Sequence, residues 1–585
     1  MAPPRWPWST CSTAAACTWR ARSTTSSACT SPPPRPRCCC SIRRSARAEG
    51  ETTGHGSGAE KDRCHYPDPV LSRCRPTMKL PIASKVLLAC LLAFAIAGCS
   101  KAPPEATAEA AAPLAQIVPL PQSVEMKSGA LEFSDAVALD LPVTAPNARR
   151  ALEELLAGLG IRQDDAAPVR IRLQQVDEPA LGAEGYRLVV GEGIDLVANN
   201  DTGLLHAVQS LRQLLPAQAQ PGYRLPRMAV TDAPAYPWRG VSLDVARSFL
   251  PVAYLEKHID RMAMFKMNRL HLHLTDDQGW RMEIKRYPKL VEIGGASAVK
   301  GGRSGWYTQD QLRHLVAYAQ ARGITIVPEI DMPGHVQALL ASYNELACDD
   351  EDNLSTYDGL EVGFSVLCLD KPEVVYPFVR NVLEEVLAVF PSQEIHIGGD
   401  EIKHPLYAQF VARTAAMVQE MGRTPIAWEE GSVADTTPEV MLQLWNDGYA
   451  IDAAVEKGHP LILSPCTYFY VDHGNYAGQP QTYDWCRKEG VPMARIYSFD
   501  PSKFKTAVGV EAALWTELVH DDAAADNRLW PRLAAVSEVA WTPVARRDYA
   551  GFVQRMGALR PHLDAQGIGY HAEPDLGWDK AQGAR

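Results

Sequence analysis

The hydrophobic pattern of the chain changes period as it runs. Within residues 114–235, Val169, Ile171 and Leu173 alternate with Arg170 and Arg172, whereas Leu204, Val208, Leu211 and Leu215 recur at helical spacing. Half-buried strands beside two amphipathic helices predict a small α/β layer domain, and no catalytic residue types gather in it. Pro234, Tyr236 and Pro237 punctuate its end. Over residues 236–575 short apolar runs alternate with amphipathic helices. The candidate strands are residues 240–243, 269–274, 324–328, 395–398, 425–428, 441–445, 461–464 and 509–514. One intervening helix uses Leu255, Ile259 and Met262; another uses Val375, Val379, Val382, Val386 and Phe390. Thr308 followed by Gln311 predicts a capping box. Eight strands separated by helices predict a (β/α)8 TIM barrel, an architecture that takes about 250 residues and tolerates insertions. An open doubly wound sheet would be supported by a glycine fingerprint after a strand, and none stands there.

No such periodicity precedes residue 114. Residues 1–77 are rich in Ser, Thr, Pro, Arg and Cys, with Cys38, Cys39 and Cys40 consecutive. They are expected to be disordered, or an extension produced by a start codon placed too early. Met78 opens a different segment, with Lys79 and Lys85, the apolar run of residues 86–97, and Ile96-Ala97-Gly98-Cys99. The run is short for a bilayer span. Residues 78–98 resemble a bacterial lipoprotein signal peptide. That resemblance implies cleavage before Cys99, lipidation of its sulfur, and export to the cell envelope, in the outer membrane or periplasm, with the anchor as the sole membrane contact. Residues 99–113, rich in Ala, Pro and Glu, suit a flexible linker.

Composition narrows the partners. With 46% hydrophobic and 22% charged residues among 585, the chain has ample material for a large core. Lys and Arg number 58 against 69 Asp and Glu, a net −11, and no basic run interrupts the globular part, so nucleic acid is not an expected partner. Residues 1–98 hold fourteen of the cations and five of the anions. The remainder carries 44 against 64, a net −20. Eight of the fourteen cysteines lie within the first 77 residues, and four lie beyond Cys99. In an oxidising compartment Cys348–Cys368 is expected to close a loop worth roughly 3 kcal/mol, with Cys466–Cys486 as a second pairing. Neither pair has metal-ligand spacing.

Reactive residues of such a barrel stand where the strands end, on the C-terminal side. Arg239 stands at the first strand and Asp276-Asp277 follow the second. Glu329, Asp331 and His335 close the third, Asp400-Glu401 the fourth, and Trp428 with Glu429 the fifth. Trp445 ends the sixth, Tyr470 and Asp472 follow the seventh, and Trp515 and Glu517 end the eighth. Acids, aromatic rings and an arginine suit a sugar: rings stack on pyranose C–H faces while charged groups bind hydroxyls. No phosphate loop or nucleophile elbow accompanies them. Asp400 and Glu401 follow two glycines that permit close backbone approach. Two adjacent acids in a partly closed pocket are expected not to be fully charged together, leaving one as a proton donor.

Five segments carry a resemblance to glycoside hydrolase family 20, the β-N-acetylhexosaminidases: Trp238-Arg239-Gly240; His271-Leu-His-Leu-Thr-Asp-Asp-Gln-Gly-Trp280-Arg281; Glu329-Ile-Asp-Met-Pro-Gly-His335; His396-Ile-Gly-Gly-Asp-Glu401; and Val510-Glu-Ala-Ala-Leu-Trp515-Thr-Glu517. The domain opening near Val118-Pro-Leu-Pro121 is similar to the family's usual companion. The resemblance implies an exo-acting, retaining enzyme for terminal β-linked N-acetylglucosamine or N-acetylgalactosamine on an oligosaccharide or glycoconjugate, without cofactor or metal. It makes Glu401 the general acid/base. Asp400 becomes the group that holds the 2-acetamido N–H and steadies an oxazolinium ring, and Tyr470 the hydroxyl that grips the acetamide carbonyl. It makes Trp428, Trp445 and Trp515 walls and floor, Arg239 and Glu517 a clamp on distal hydroxyls, and Asp472 another hydroxyl ligand. His335 and Asp276 become a relay behind the acid, with Asp277 a candidate for the same role. Trp428-Glu429-Glu430 departs from the commoner Trp-Asp-Glu, which leaves Glu429 without a role.

Two other readings compete. His271 and His273 point to one face of a strand, as the first ligand pair of a barrel metallohydrolase would; only His335 and His396 stand at later strand ends to complete it. A non-catalytic glycan-binding surface lipoprotein would have no need to keep Asp400, Glu401 and Tyr470 together. Trp530 and Trp541 are expected in the core or at its rim.

Overall fold

The computed structural model describes residues 116–348, 354–446 and 451–578. The expectations for residues 1–77, the signal peptide at 78–98, Cys99 and the 99–113 linker lie outside the described residues.

The first layer is a seven-stranded sheet in the order Ser123–Phe133, Tyr223–Asp232, Tyr186–Val190, Ile194–Ala198, Arg170–Gln175, Ala136–Asp140 and Arg162–Gln163. Alternation sets its faces: Tyr186, Leu188 and Val190 are buried while Arg187 and Val189 are half-covered. Helices Pro146–Gly158 and Asp201–Leu214 pack on one another and on the sheet through Leu152, Leu155, Leu156, Leu204, Leu205, Val208 and Leu211. The first begins with proline in its opening turn, and Asn200 caps the second by accepting the N–H of Gly203.

The eight barrel strands are Trp238–Asp244, Arg269–His273, Thr325–Glu329, Glu394–His396, Thr424–Trp428, Met441–Leu444, Leu461–Leu463 and Ala507–Leu514. All pair in parallel, and the last closes on the first with Val510 opposite Arg239 and Leu514 opposite Leu243. Each expected run lies on one of them, shifted by a residue or two at its ends. Helices Val252–Met264 and Pro372–Val389 bury the apolar stripes that predicted them, and Thr308 with Gln311 forms the reciprocal capping box. Trp530 and Trp541 are fully buried.

Arg239 is not where the clamp role would put it. It is the second residue of its strand, at the N-terminal end of the barrel, and is completely buried. Its Nε donates to the Lys266 carbonyl at 2.8 Å, and one terminal nitrogen reaches the Tyr236 carbonyl at 2.9 Å. Both terminal nitrogens bind Glu184 of the sheet domain, one at 3.2 Å. Glu184 also meets His206, and Trp541 lies 5.1 Å beneath the Arg239 guanidinium. The residue ties the two layers together from the barrel end opposite the strand termini, because the chain runs seven residues from Trp238 to Asp244 before it reaches the other rim. Gln213 adds a second tie, bonding both backbone groups of Val118 and the Met264 carbonyl.

Candidate active site

The carboxyl ends of the strands bring together Asp244, Asp276, Asp331, His335, Asp400, Glu401, Trp428, Trp445, Tyr470, Asp472, Trp515 and Glu517. The arginine among them is Arg247. Asp244 turns the chain there by accepting the N–H groups of Ala246 and Arg247, and it holds Thr516 through both its N–H and its hydroxyl. Arg247 pairs with Asp276 at 2.7 Å and lies 5.1 Å over the Trp515 ring. Burial works against its charge, but Asp276, Glu517 and Asp244 outweigh burial and raise its pKa well above the usual value. One signal was legible in advance: Arg247 lies just beyond the end of the first strand, whereas Arg239 precedes its apolar run.

His335 sits between two pairs of acids. Its Nδ1 lies 3.4 Å from Asp276 and 3.6 Å from Asp277, and its Nε2 lies 3.4 Å from Asp400 and 3.5 Å from Glu401. Burial opposes the imidazolium, yet Asp276 and Asp400 raise its pKa well above the usual value. Asp276 also receives His273 at 2.8 Å, and despite burial Arg247 and His335 hold it far below the carboxylate range. Asp277 accepts the Gln337 N–H and the Ser365 hydroxyl.

The first of the two glycines before the acid pair is dictated by Asp331. A Cβ on Gly398 would lie 1.7 Å from Asp331 Oδ1, and the same oxygen accepts the Gly399 N–H at 3.1 Å. Both have positive φ, +71° and +107°, and Glu401 itself is left-handed at +59°. Asp331 and Asp400 compete for a proton. Burial and the neighbouring Asp400 push Asp331 well up, while His335 overcomes burial and draws Asp400 down. The neutral form is thus favoured at Asp331 and the anion at Asp400.

The aromatic walls interlock. Trp428, buried, donates to Glu329 at 3.0 Å and meets Trp515 at 6.0 Å between centroids. Trp445 stacks on Tyr470 at 6.4 Å and 16°, and Tyr470 meets Trp515 edge-on at 5.9 Å. Burial, then Asp400, raises the Tyr470 pKa well above the phenol value, so the hydroxyl stays a donor. Asp472 binds His473 at 3.1 Å through one oxygen. Glu429 receives the Trp445 N–H at 2.8 Å and the Asn446 N–H at 3.3 Å, which fixes the end of the sixth strand. Both expected disulfides form. Cys466–Cys486 brackets Tyr470 and Asp472 and brings in Trp485, a half-exposed ring 6.1 Å from Trp445 and 6.2 Å from Tyr470 that sequence reasoning missed.

Open polar atoms mark the cavity. Asp400 Oδ1, Asp472 Oδ1 and Glu517 Oε2 are buried without hydrogen-bond partners among the described residues. Native structures seldom leave such atoms unmatched unless a ligand completes them. Burial, opposed by Arg247, pushes Glu517 up to about 7.

The histidines of the metal reading lie in the barrel interior. His271 and His396 each stand 3.0 Å from Glu329, with His271 also 2.9 Å from Glu511. Those three residues are close enough to share an ion. Glu329 and Glu511, however, overcome burial and lift His271 to about 9, and Glu329 and Asp276 lift His273 well above its usual value. At His396 burial outweighs Glu329 and draws the pKa down.

An acid pair, a buried phenol and three tryptophans on the strand ends of a TIM barrel define a glycoside hydrolase. Residues 236–409 and 403–544 match the catalytic-domain model of glycosyl hydrolase family 20, and residues 114–233 match the model of that family's domain 2. A Cellulomonas fimi β-N-acetylhexosaminidase is 37% identical over 428 residues, 71% of this chain and 86% of that protein. The Streptomyces coelicolor A3(2) family 20 β-N-acetylhexosaminidase superposes with a TM-score of 0.75 at 36% identity, over 80% of this chain and 99% of that one. A mutant Streptomyces plicatus β-hexosaminidase solved with its product GlcNAc gives 0.75 at 36% identity, over 80% and 98%. This chain belongs to glycosyl hydrolase family 20, and it is an enzyme of the β-N-acetylhexosaminidase type.

Proposed function

We propose that the enzyme removes terminal, non-reducing β-linked N-acetylglucosamine or N-acetylgalactosamine from oligosaccharides or glycoconjugates with retention of configuration, the substrate's own acetamide serving as nucleophile. The observation that carries this is the grouping of Asp400, Glu401 and Tyr470, with His335 beside both carboxyls and one Asp400 oxygen open. Glu401, whose side chain is 35% exposed, protonates the departing glycosidic oxygen. The acetamide carbonyl oxygen then bonds to the anomeric carbon as the C–O bond to the aglycone breaks. Asp400 accepts the acetamide N–H and offsets the positive charge of the oxazolinium, while Tyr470 donates to the carbonyl and aims it. Water, losing a proton to Glu401, opens the ring at the anomeric carbon. His335 holds both carboxylates in place and is itself held by Asp276. Arg247 and Glu517 clamp distal hydroxyls, with Asp472 beside them. The relative that was solved with GlcNAc supports the sugar.

A retained catalytic grouping with open carboxylate oxygens favours turnover over glycan binding alone. Glu401→Gln is expected to lose about 10²- to 10⁴-fold in kcat on alkyl β-N-acetylglucosaminides while retaining binding; unchanged rates would remove it from the acid role. An oxazoline-mimicking thiazoline is expected to compete with substrate, and its failure to bind would overturn the acetamide route. We further propose export and lipid anchoring through Cys99. Acyl labelling of the wild type that is lost in Cys99→Ala would support this, and labelling that persists would overturn it.

A further inference from the structure

Glu430 has no part in the scheme above, yet it touches both halves of the site. It lies on the turn Glu429–Val433 that follows the fifth strand. Its two carboxyl oxygens stand 3.2 and 3.1 Å from the Trp445 indole nitrogen, and one also accepts the backbone N–H of Glu401 at 3.4 Å. One carboxyl group thus joins residues 44 positions apart in sequence: the backbone of the acid, and the ring that stacks on Tyr470. Glu401 needs such an anchor, because a non-glycine residue at φ +59° stores about 1–3 kcal/mol of backbone strain that its surroundings must hold. The groups facing the Glu430 carboxyl are Asp400, the Glu401 N–H, the Trp445 indole and Tyr407. Burial and Asp400 push Glu430 up to about 7, a further sign of a tightly enclosed carboxyl.

We propose that Glu430 is a positioning residue that locks the acid Glu401 to the acetamide wall of Trp445 and Tyr470, keeping proton donation and oxazolinium formation in register. This rests on the acetamide mechanism. A residue that merely supports the fold would, when replaced, lower the folded fraction and slow all substrates alike. A residue that sets the register would act on two separate readouts.

The test compares wild type, Glu430→Gln and Glu430→Ala, with melting curves to normalise for folded protein. Glu430→Ala is expected to slow alkyl β-N-acetylglucosaminides about 100-fold in kcat, and dinitrophenyl glycosides, whose departure needs no proton but whose ring closure still uses the acetamide wall, by only about tenfold. The same variant is expected to bind the thiazoline about tenfold more weakly. Glu430→Gln, which keeps an acceptor oxygen, is expected to recover part of both losses. Glu430→Gln combined with Trp445→Phe is expected to cost less than the sum of the separate changes. Equal losses on both leaving-group classes, or thiazoline affinity unchanged from wild type, would overturn the assignment of Glu430 alone. A wild-type enzyme that ignores the thiazoline would overturn the acetamide mechanism, and the register proposal with it.

Discussion

Arg239 and Arg247 bracket the same barrel strand, and both are buried and paired with carboxylates, yet they belong to different parts of the molecule's work. At the lower end every nitrogen of Arg239 has a protein partner, in Glu184, Tyr236 or Lys266. At the upper end Arg247 reaches Asp276 through one terminal nitrogen and Gln278 through Nε, while its other terminal nitrogen has no hydrogen bond and lies 3.5 Å from Asp244. The same contrast holds for the acids around them. Glu184 is wrapped by Arg239 and His206, whereas Asp400, Asp472 and Glu517 each keep an oxygen open. Arg239 and Glu184, with their partners in place, hold the two layers together, and the open oxygens at the upper end are free to meet a ligand.

The largest test of this contrast is at the lower end. Arg239→Met strands the Glu184 carboxylate and is expected to lower unfolding free energy by about 3–5 kcal/mol, read by urea denaturation, with kcat/KM per folded molecule unchanged. Loss of sugar affinity at undiminished stability would instead return Arg239 to the site. Next in size, Arg247→Met is expected to reduce kcat/KM about 10²-fold, as befits the loss of a charged hydrogen bond in the transition state together with the pairing of Asp276. The smallest effect is the pH dependence of stability, which has opposite signs at the two ends. Despite burial, His206 and Arg239 hold Glu184 far below the carboxylate range, so its contribution is present above the unfolded value near 4.5 and is lost as pH falls. Glu517, at about 7, binds a proton in the folded state that the unfolded chain releases near 4.5, so its contribution fades as pH rises from 4.5 to 7. Each group changes stability by at most about 1.4 kcal/mol per pH unit. Glu517→Gln is expected to flatten the fall of the urea midpoint between pH 4.5 and 7, and Glu184→Gln to flatten only the acid limb; the reverse pattern would break the assignment.

Much of the barrel could be read from local pattern. Parallel strands buried on both faces give short apolar runs, and helices on the outside give stripes, so Ile326, Val327 and the series Val375, Val379, Val382, Val386 announced their elements. The acid pair was equally visible behind its two glycines: Asp331 leaves no room for a Cβ at Gly398, and Gly399 has a φ of +107°. Arg239 misled because a conspicuous motif outweighed strand direction: a residue that precedes the apolar run enters at the opposite rim. Glu430 stood in the Trp428-Glu429-Glu430 motif with nothing to show its partners, and Trp485 carried no local signal. One acts through residues near 401 and 445, and the other is delivered by the Cys466–Cys486 loop.

The places of the strands and helices, and the strand ends at which the chemistry gathers, were legible in the succession of side chains, because periodicity is a short-range property, whereas closure pairs residues 238–243 with 509–514. The partner of each charge was decided only when the barrel closed. Burial and an Asp400 folded against it from another strand push Asp331 up, a histidine 65 residues away draws Asp400 down despite burial, and one arginine of two is left with an open donor. Electrostatic energy depends on distance through space and on burial, and neither is written in the spacing along the chain.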